Sequence, residues 1–140
     1  MAELDNKELV RSYFEKGCVQ HDMAGTLEFI SEDYKLHDPA DPEFPGGREA
    51  FKKRSEGCSV SEGAIRDYSC TIEDQIAEGD RVATRWTVAG CQTEDLPGIP
   101  NKGRCFKMSG ITISRVADGK IAEEWLSMDT LGMRQQLGAD

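Results

Sequence analysis

The sequence predicts an α+β domain, a curved and mainly antiparallel sheet forming a cone-shaped barrel, with three N-terminal helices covering a pocket. Three observations predict it. Apolar residues in the first third recur near the 3.6-residue period of a helix. Beyond Gly63 the period changes to the two-residue alternation of strands. Asp118-Gly119 near the end is a two-residue hairpin turn. Helices followed by a strand meander argue for helices packed on one face of one sheet, with a cavity at its mouth. A chain of 140 residues makes one domain, 1–140, and needs neither metal nor disulfides to bury a core.

The elements follow in order. Leu9, Val10, Tyr13, Phe14, Gly17 and Cys18 share one helix face, and Asp5 with Glu8 resembles a capping box. Gln20-His21-Asp22 breaks the helix, and Asp22 caps a second one that turns Met23, Leu27 and Ile30 inward. Ser31-Glu32-Asp33 ends it, and Tyr34–Leu36 reads as a short strand. Residues 38–47, DPADPEFPGG, form a surface loop. A third helix runs from Arg48 to about Glu56, Ala50 and Phe51 facing in and Gly57 stopping it. Tyr68, Cys70, Ile72 and Ile76 alternate along a strand, and Glu78-Gly79-Asp80 turns it. Val82, Thr84, Trp86 and Val88 alternate along the next. After the 95–103 loop, strands run from about Arg104 to Val116 and from Ile121 to about Met128. The tail, LGMRQQLGAD, can form a helical turn.

Composition excludes several functions. Acidic residues outnumber basic ones 26 to 17, so a net charge of −9 repels nucleic-acid phosphate and anionic membrane surfaces. No apolar run is long enough to span a bilayer. The start, MAELDNKELV, lacks the basic and apolar regions of a secretory leader, so a cytoplasmic location is expected. Cys18, Cys58, Cys70, Cys91 and Cys105 are odd in number, widely spread and without C-x-x-C, and are read as reduced thiols filling the core. Two histidines cannot supply a His-rich metal centre, and no metal is expected. Gly46-Gly47 lacks phosphate-loop spacing, and no G-x-S-x-G or H-E-x-x-H occurs.

The final hairpin supplies the main candidate. A two-residue loop at Asp118-Gly119 pairs Ala117 with Lys120, and counting back pairs Ile113 with Glu124 and Ile111 with Leu126. That face is the more apolar, with Glu124 in its middle. A carboxylate there loses hydration, its pKa rises, and it suits proton transfer near neutral pH. The alternative is a strand glutamate that points to solvent or pairs with Arg115. His37, at a strand end, could donate to a substrate or relay a proton. His21 reads as a helix-end residue. Trp86 and Trp125 are either pocket walls or core, and Tyr13 and Phe14 read as core.

The runs IAEGDRVATRWTVAG, LPGIPNKGR, SGITISRVADGKIAEEW and LGMRQQLGA resemble the SnoaL-like polyketide cyclase family, of the nuclear-transport-factor-2-like superfamily. The most specific parts are the P-G-I-P-x-x-G loop and the R-V-A-D-G-K-I-x-E-x-W hairpin. The resemblance implies a deep apolar pocket for a small apolar molecule, a homodimer, and chemistry without cofactor or metal: an intramolecular aldol condensation driven by a pocket carboxylate. This chain departs from the pattern. Leu126 follows Trp125 where those cyclases carry the acid/base aspartate, the facing family histidine falls near Ile113, and Gly90-Cys91-Gln92 replaces a G-T-H run. His37 does match a family histidine.

Glu124 would therefore take over proton transfer, or Asp129 if the strand bulges after Trp125. Gln92 would be a polar pocket contact, with Trp86, Trp125, Ile113 and Leu126 around the substrate. The expected activity is cyclisation or isomerisation of a small apolar carbonyl or polyketide-like compound. The rival readings are a non-catalytic ligand-binding or dimerisation domain, and a hydrolase or hydratase activating water between Glu124 and His37 or Gln92.

Overall fold

The computed structural model describes residues 2–56 and 63–139. Helix α1 (Ala2–Phe14) widens into a π-helical turn, Glu15–Val19, and a short α2 (Met23–Thr26) runs into a 3₁₀ turn, Leu27–Phe29. Strand β1 (Ile30–His37) and helix α3 (Arg48–Glu56) follow. Strands β2 (Ile65–Glu78), β3 (Arg81–Gln92), β4 (Cys105–Ala117) and β5 (Lys120–Met128) then form the meander, and α4 (Thr130–Gln136) ends the chain. The single sheet has the order β1-β5-β4-β3-β2, with β1 parallel to β5 and every other pair antiparallel. It is curved and does not close into a full barrel; the helices lie across its concave side. The α+β class and the pocket-covering helices are those the sequence predicts.

Local chemistry explains the elements. Asp22 caps α2, its carboxylate accepting from the Gly25 N–H at 2.9 Å. Asp118 (φ 52°) and Gly119 (φ 73°) both take left-handed backbone, the two-residue turn whose twist matches a hairpin. Two boundaries differ from expectation. Helix α1 begins at Ala2, so Asp5 is no cap; with Glu3 it places negative charge in the first turn, where the helix dipole favours it. Strand β1 begins at Ile30 rather than Tyr34, because Ile30 pairs with Ile121 of β5, a partner 91 positions away that local propensity does not reveal.

Bulges reset which face each side chain takes. Between Arg115↔Glu123 and Val116↔Ile121 the register slips by one, leaving Ala122 as an extra residue. Glu124 therefore pairs with Ser114, and Ile113 with Trp125, not with Glu124. In β2 the register slips between Ile72 and Asp74, so Gln75 is buried and Ile76, in step with Ile72 by simple alternation, is 72% exposed. A one-residue slip sends every later side chain to the opposite face.

The cysteine expectation is corrected. Cys18 and Cys70 form a disulfide joining the π-helical turn to β2, and Cys91 and Cys105 form another across β3 and β4. Fifty-two and 14 residues separate the partners, so sequence spacing alone does not show that the fold brings them together. Cys58 and the expected Gly57 stop lie outside the described residues. No described helix is long and apolar enough to cross a membrane.

The core lies between the sheet's concave face and the helices. One buried cluster joins Val10, Ile30, Tyr34, Phe51, Val82, Val116 and Ile121; another joins Trp86, Val88, Leu96, Ile99, Phe106 and Leu137 with Ala64. Between them the concave face is left partly unfilled.

Candidate functional site

The concave face is read off the strand register. One row across the sheet runs Leu36, Glu124, Ser114, Val82 and Ala77; the next runs His37, Trp125, Ile113, Ala83 and Ile76 on the convex face. The first row carries the only acid among its residues into an apolar cavity of about 380 Å³, a volume suited to a small organic ligand. Helix α1 covers it with Tyr13 and Phe14, α3 with Phe51 and Arg54, and Leu126, Met108 and Met128 line its walls.

Glu124 is 3% exposed and accepts three side-chain hydrogen bonds. Tyr34 Oη donates to Oε1 at 2.7 Å and Tyr13 Oη to the same oxygen at 3.0 Å. Ser114 Oγ donates to Oε2 at 2.7 Å. Burial pushes the Glu124 carboxyl above the usual range, the largest influence on it, while the Ser114, Tyr34 and Tyr13 hydroxyls and the Arg54 guanidinium pull the other way. Both phenols are held well above their ordinary range, by burial first and by the neighbouring carboxylate second, so they stay protonated and act as donors. The arrangement holds a carboxyl in an apolar site with its geometry fixed and its basicity raised, as proton transfer from carbon requires.

A second polar pair lies one step along the strands. Trp86 Nε1 donates to Thr112 Oγ1 at 3.0 Å. The indole can lie there only because position 110 has no side chain: a Cβ on Gly110 would come within 2.3 Å of the ring. Thr112 accepts from Trp86 and retains its own O–H for the cavity. It is two residues from Ser114, about 7 Å along β4. Arg54 sits at the rim, its guanidinium held by buried Asp38 at 2.7 Å and by Asp41 at 3.6 Å.

The other candidates separate. Trp86 and Leu126 line the cavity. His37, Trp125 and Ile113 belong to the convex face and do not line it, because the bulge at Ala122 sets the register. There His37 stacks on Trp125 at 5.3 Å, Nε2 lies 2.6 Å from Glu123 Oε2, and Arg81 covers the other ring at 4.7 Å. Glu123, not Glu124, pairs with Arg115, at 3.0 Å, and its carboxyl is held below the usual range, chiefly by the His37 contact. Asp129 is exposed and caps α4, accepting from the Gly132 N–H at 2.9 Å, so it is not a cavity acid. Gln92 is buried under the 93–104 loop, its amide donating to the Ile99 carbonyl at 2.8 Å, and does not line the cavity.

Tyr13, Tyr34, Ser114, Thr112 and Arg54 belong to the site without being singled out by the sequence pattern. The two tyrosines carry a readable signal: a phenol on an inward stripe where a phenylalanine would pack needs a buried partner. Ser114 and Thr112 become inward residues only once the bulge is counted.

Known proteins resemble the chain over nearly its whole length. TsrD from Streptomyces laurentii has a TM-score of 0.81 at 28% identity, covering 98% of this chain and 97% of its own. A candidate polyketide cyclase from Acidithiobacillus ferrooxidans has a TM-score of 0.80 at 28% identity, covering 95% and 94%. IdmH from Streptomyces antibioticus, also named as a candidate polyketide cyclase, has a TM-score of 0.74 at 29% identity, covering 96% and 99%. Comparison with curated protein sequences found no match. The family model described as SnoaL-like polyketide cyclase matches residues 8–137, and the chain belongs to that family.

Proposed function

We propose that the chain is a cofactor-independent acid/base enzyme that moves a proton on a small apolar carbonyl or polyketide-like compound, closing a ring by intramolecular aldol condensation or isomerising it. The observation that carries this reading is the Glu124 carboxyl at the end of an apolar cavity, with burial raising its pKa and three hydroxyls fixing it. Glu124 removes a proton from the carbon next to the carbonyl and returns it after rearrangement or ring closure. In this reading the O–H of Thr112, which lines the cavity, donates to the enolate oxygen. The apolar walls keep bulk water from quenching that anion.

The rival binding-domain reading is favoured by Leu126, a hydrocarbon side chain on the cavity wall where the resemblance expects aspartate. The water-activating reading loses its geometry, since His37 lies on the other face and Gln92 does not line the cavity. The homodimer implied by the resemblance would cover the convex face, where Ile111 and Ile113 are 48% and 37% exposed.

Deuterium exchange at the α-carbon of 2-tetralone, followed by proton NMR, tests the enzyme reading. Wild type should accelerate exchange, and Glu124→Gln should lose about a hundredfold or more of that acceleration. Binding of the ketone without any acceleration would establish the binding domain instead.

A further inference from the structure

The cavity has a side chamber that the proposed chemistry does not use. It has a volume of about 200 Å³ and shares Tyr13, Phe14, Cys18, Phe51 and Tyr68 with the main cavity. Its one imidazole is His21, whose ring meets Tyr68 edge-on at 4.3 Å. Both ring nitrogens are shut off from solvent, although the residue as a whole is partly exposed, and neither has a hydrogen-bond partner. A buried donor and a buried acceptor left unmet on one ring are a standing cost that a bound polar group would remove.

The backbone is bent to place that ring. The π-helical turn directs the Gln20 N–H to the Glu15 carbonyl at 2.9 Å and the Asp22 N–H to the Lys16 carbonyl at 2.8 Å. His21 between them takes left-handed backbone, φ 59°, which costs a residue with a Cβ. Gly17 lets the turn pack close, since a Cβ there would come within 2.8 Å of Thr26 Cγ2. Burial holds the His21 pKa below its ordinary value, so the ring stays neutral and offers one N–H and one lone pair.

We propose that His21 is a second ligand contact, its imidazole hydrogen-bonding an uncharged hydroxyl or carbonyl on the part of the ligand that occupies the side chamber. The inference rests on the reading that the cavity takes an apolar, oxygen-bearing molecule, and it extends the recognised ligand beyond the region around Glu124. A charged group is disfavoured there, because it would enter an apolar chamber opposite a neutral ring.

The test uses 1-naphthol and naphthalene on protein labelled with ¹⁵N-histidine. The two histidines are assigned with His37→Gln. Binding is read from Trp86 emission in a Trp125→Phe background. Saturation with 1-naphthol should move the His21 nitrogen resonances, and naphthalene should quench Trp86 while leaving them in place. His21→Phe should weaken 1-naphthol about fivefold, the effect of one lost hydrogen bond, and His21→Asn, which tolerates left-handed backbone, should recover part of it. The movement should persist in Glu124→Gln, so a wild type that fails to accelerate exchange while His21 still responds overturns the catalytic reading alone. Quenching by 1-naphthol with still His21 resonances overturns the His21 contact alone, and absence of 1-naphthol binding overturns it as well.

Discussion

Tyr34→Phe isolates one interaction at the Glu124 site. The ring stays in place, 1% exposed and packed edge-on against Phe51 at 5.3 Å and Phe44 at 6.0 Å, so only the hydroxyl is removed. That hydroxyl donates to Glu124 Oε1 at 2.7 Å, and a hydrogen bond to an ionised group contributes about 1.5–3 kcal/mol. At about 1.4 kcal/mol per factor of ten, the Glu124 ionisation constant should fall roughly ten- to a hundredfold. The smaller end is expected, because Tyr13 still donates to the same oxygen at 3.0 Å. Titration followed by ¹³Cδ-glutamate NMR reads this directly, with Glu124 assigned by its loss in Glu124→Gln. A midpoint that stays put or moves down would refute the argument that these hydroxyls stabilise the carboxylate. Stability is linked with a definite sign. The folded-state pKa of Glu124 is raised, so the associated stability is complete below the ordinary carboxylate range and is lost as pH rises through the folded value. Tyr34→Phe enlarges that loss, and its deficit in urea unfolding should be greater at neutral than at acid pH.

Two further outcomes follow from the framework around the cavity. Cys70→Ser opens a link spanning 52 residues and should cost about 4 kcal/mol by the chain-entropy relation, while Cys105→Ser, spanning 14, should cost about 3. Urea midpoints rank them, and no loss from either variant would contradict both links. Gly110→Ala drives a Cβ into the Trp86 ring, which must shift and give up its bond to Thr112. Stability should fall by about 1–3 kcal/mol and Trp86 emission should change, whereas an unchanged spectrum would show that the ring does not rest on Gly110.

Local pattern determined much of this protein. The helix period, the Asp22 cap, the alternation in β3 and the Asp118-Gly119 turn are all properties of neighbouring residues, and short-range sterics and solvent exposure suffice to produce them. They also identify Glu124 as the acid in the apolar stretch of the last strand. Tertiary structure decided the rest. An extra residue at Ala122 selects Ser114 over Ile113 as the neighbour of Glu124 and sends His37 and Trp125 to the opposite face. The consecutive buried pair Ile121-Ala122 and the consecutive exposed pair Glu73-Asp74 mark two of the bulges, and that burial is itself a product of the folded sheet. Tyr13 reaches Glu124 across 111 positions and Cys18 reaches Cys70 across 52, because the sheet curves beneath α1. Such meetings depend on long-range chain geometry, to which a two- or 3.6-residue period is blind.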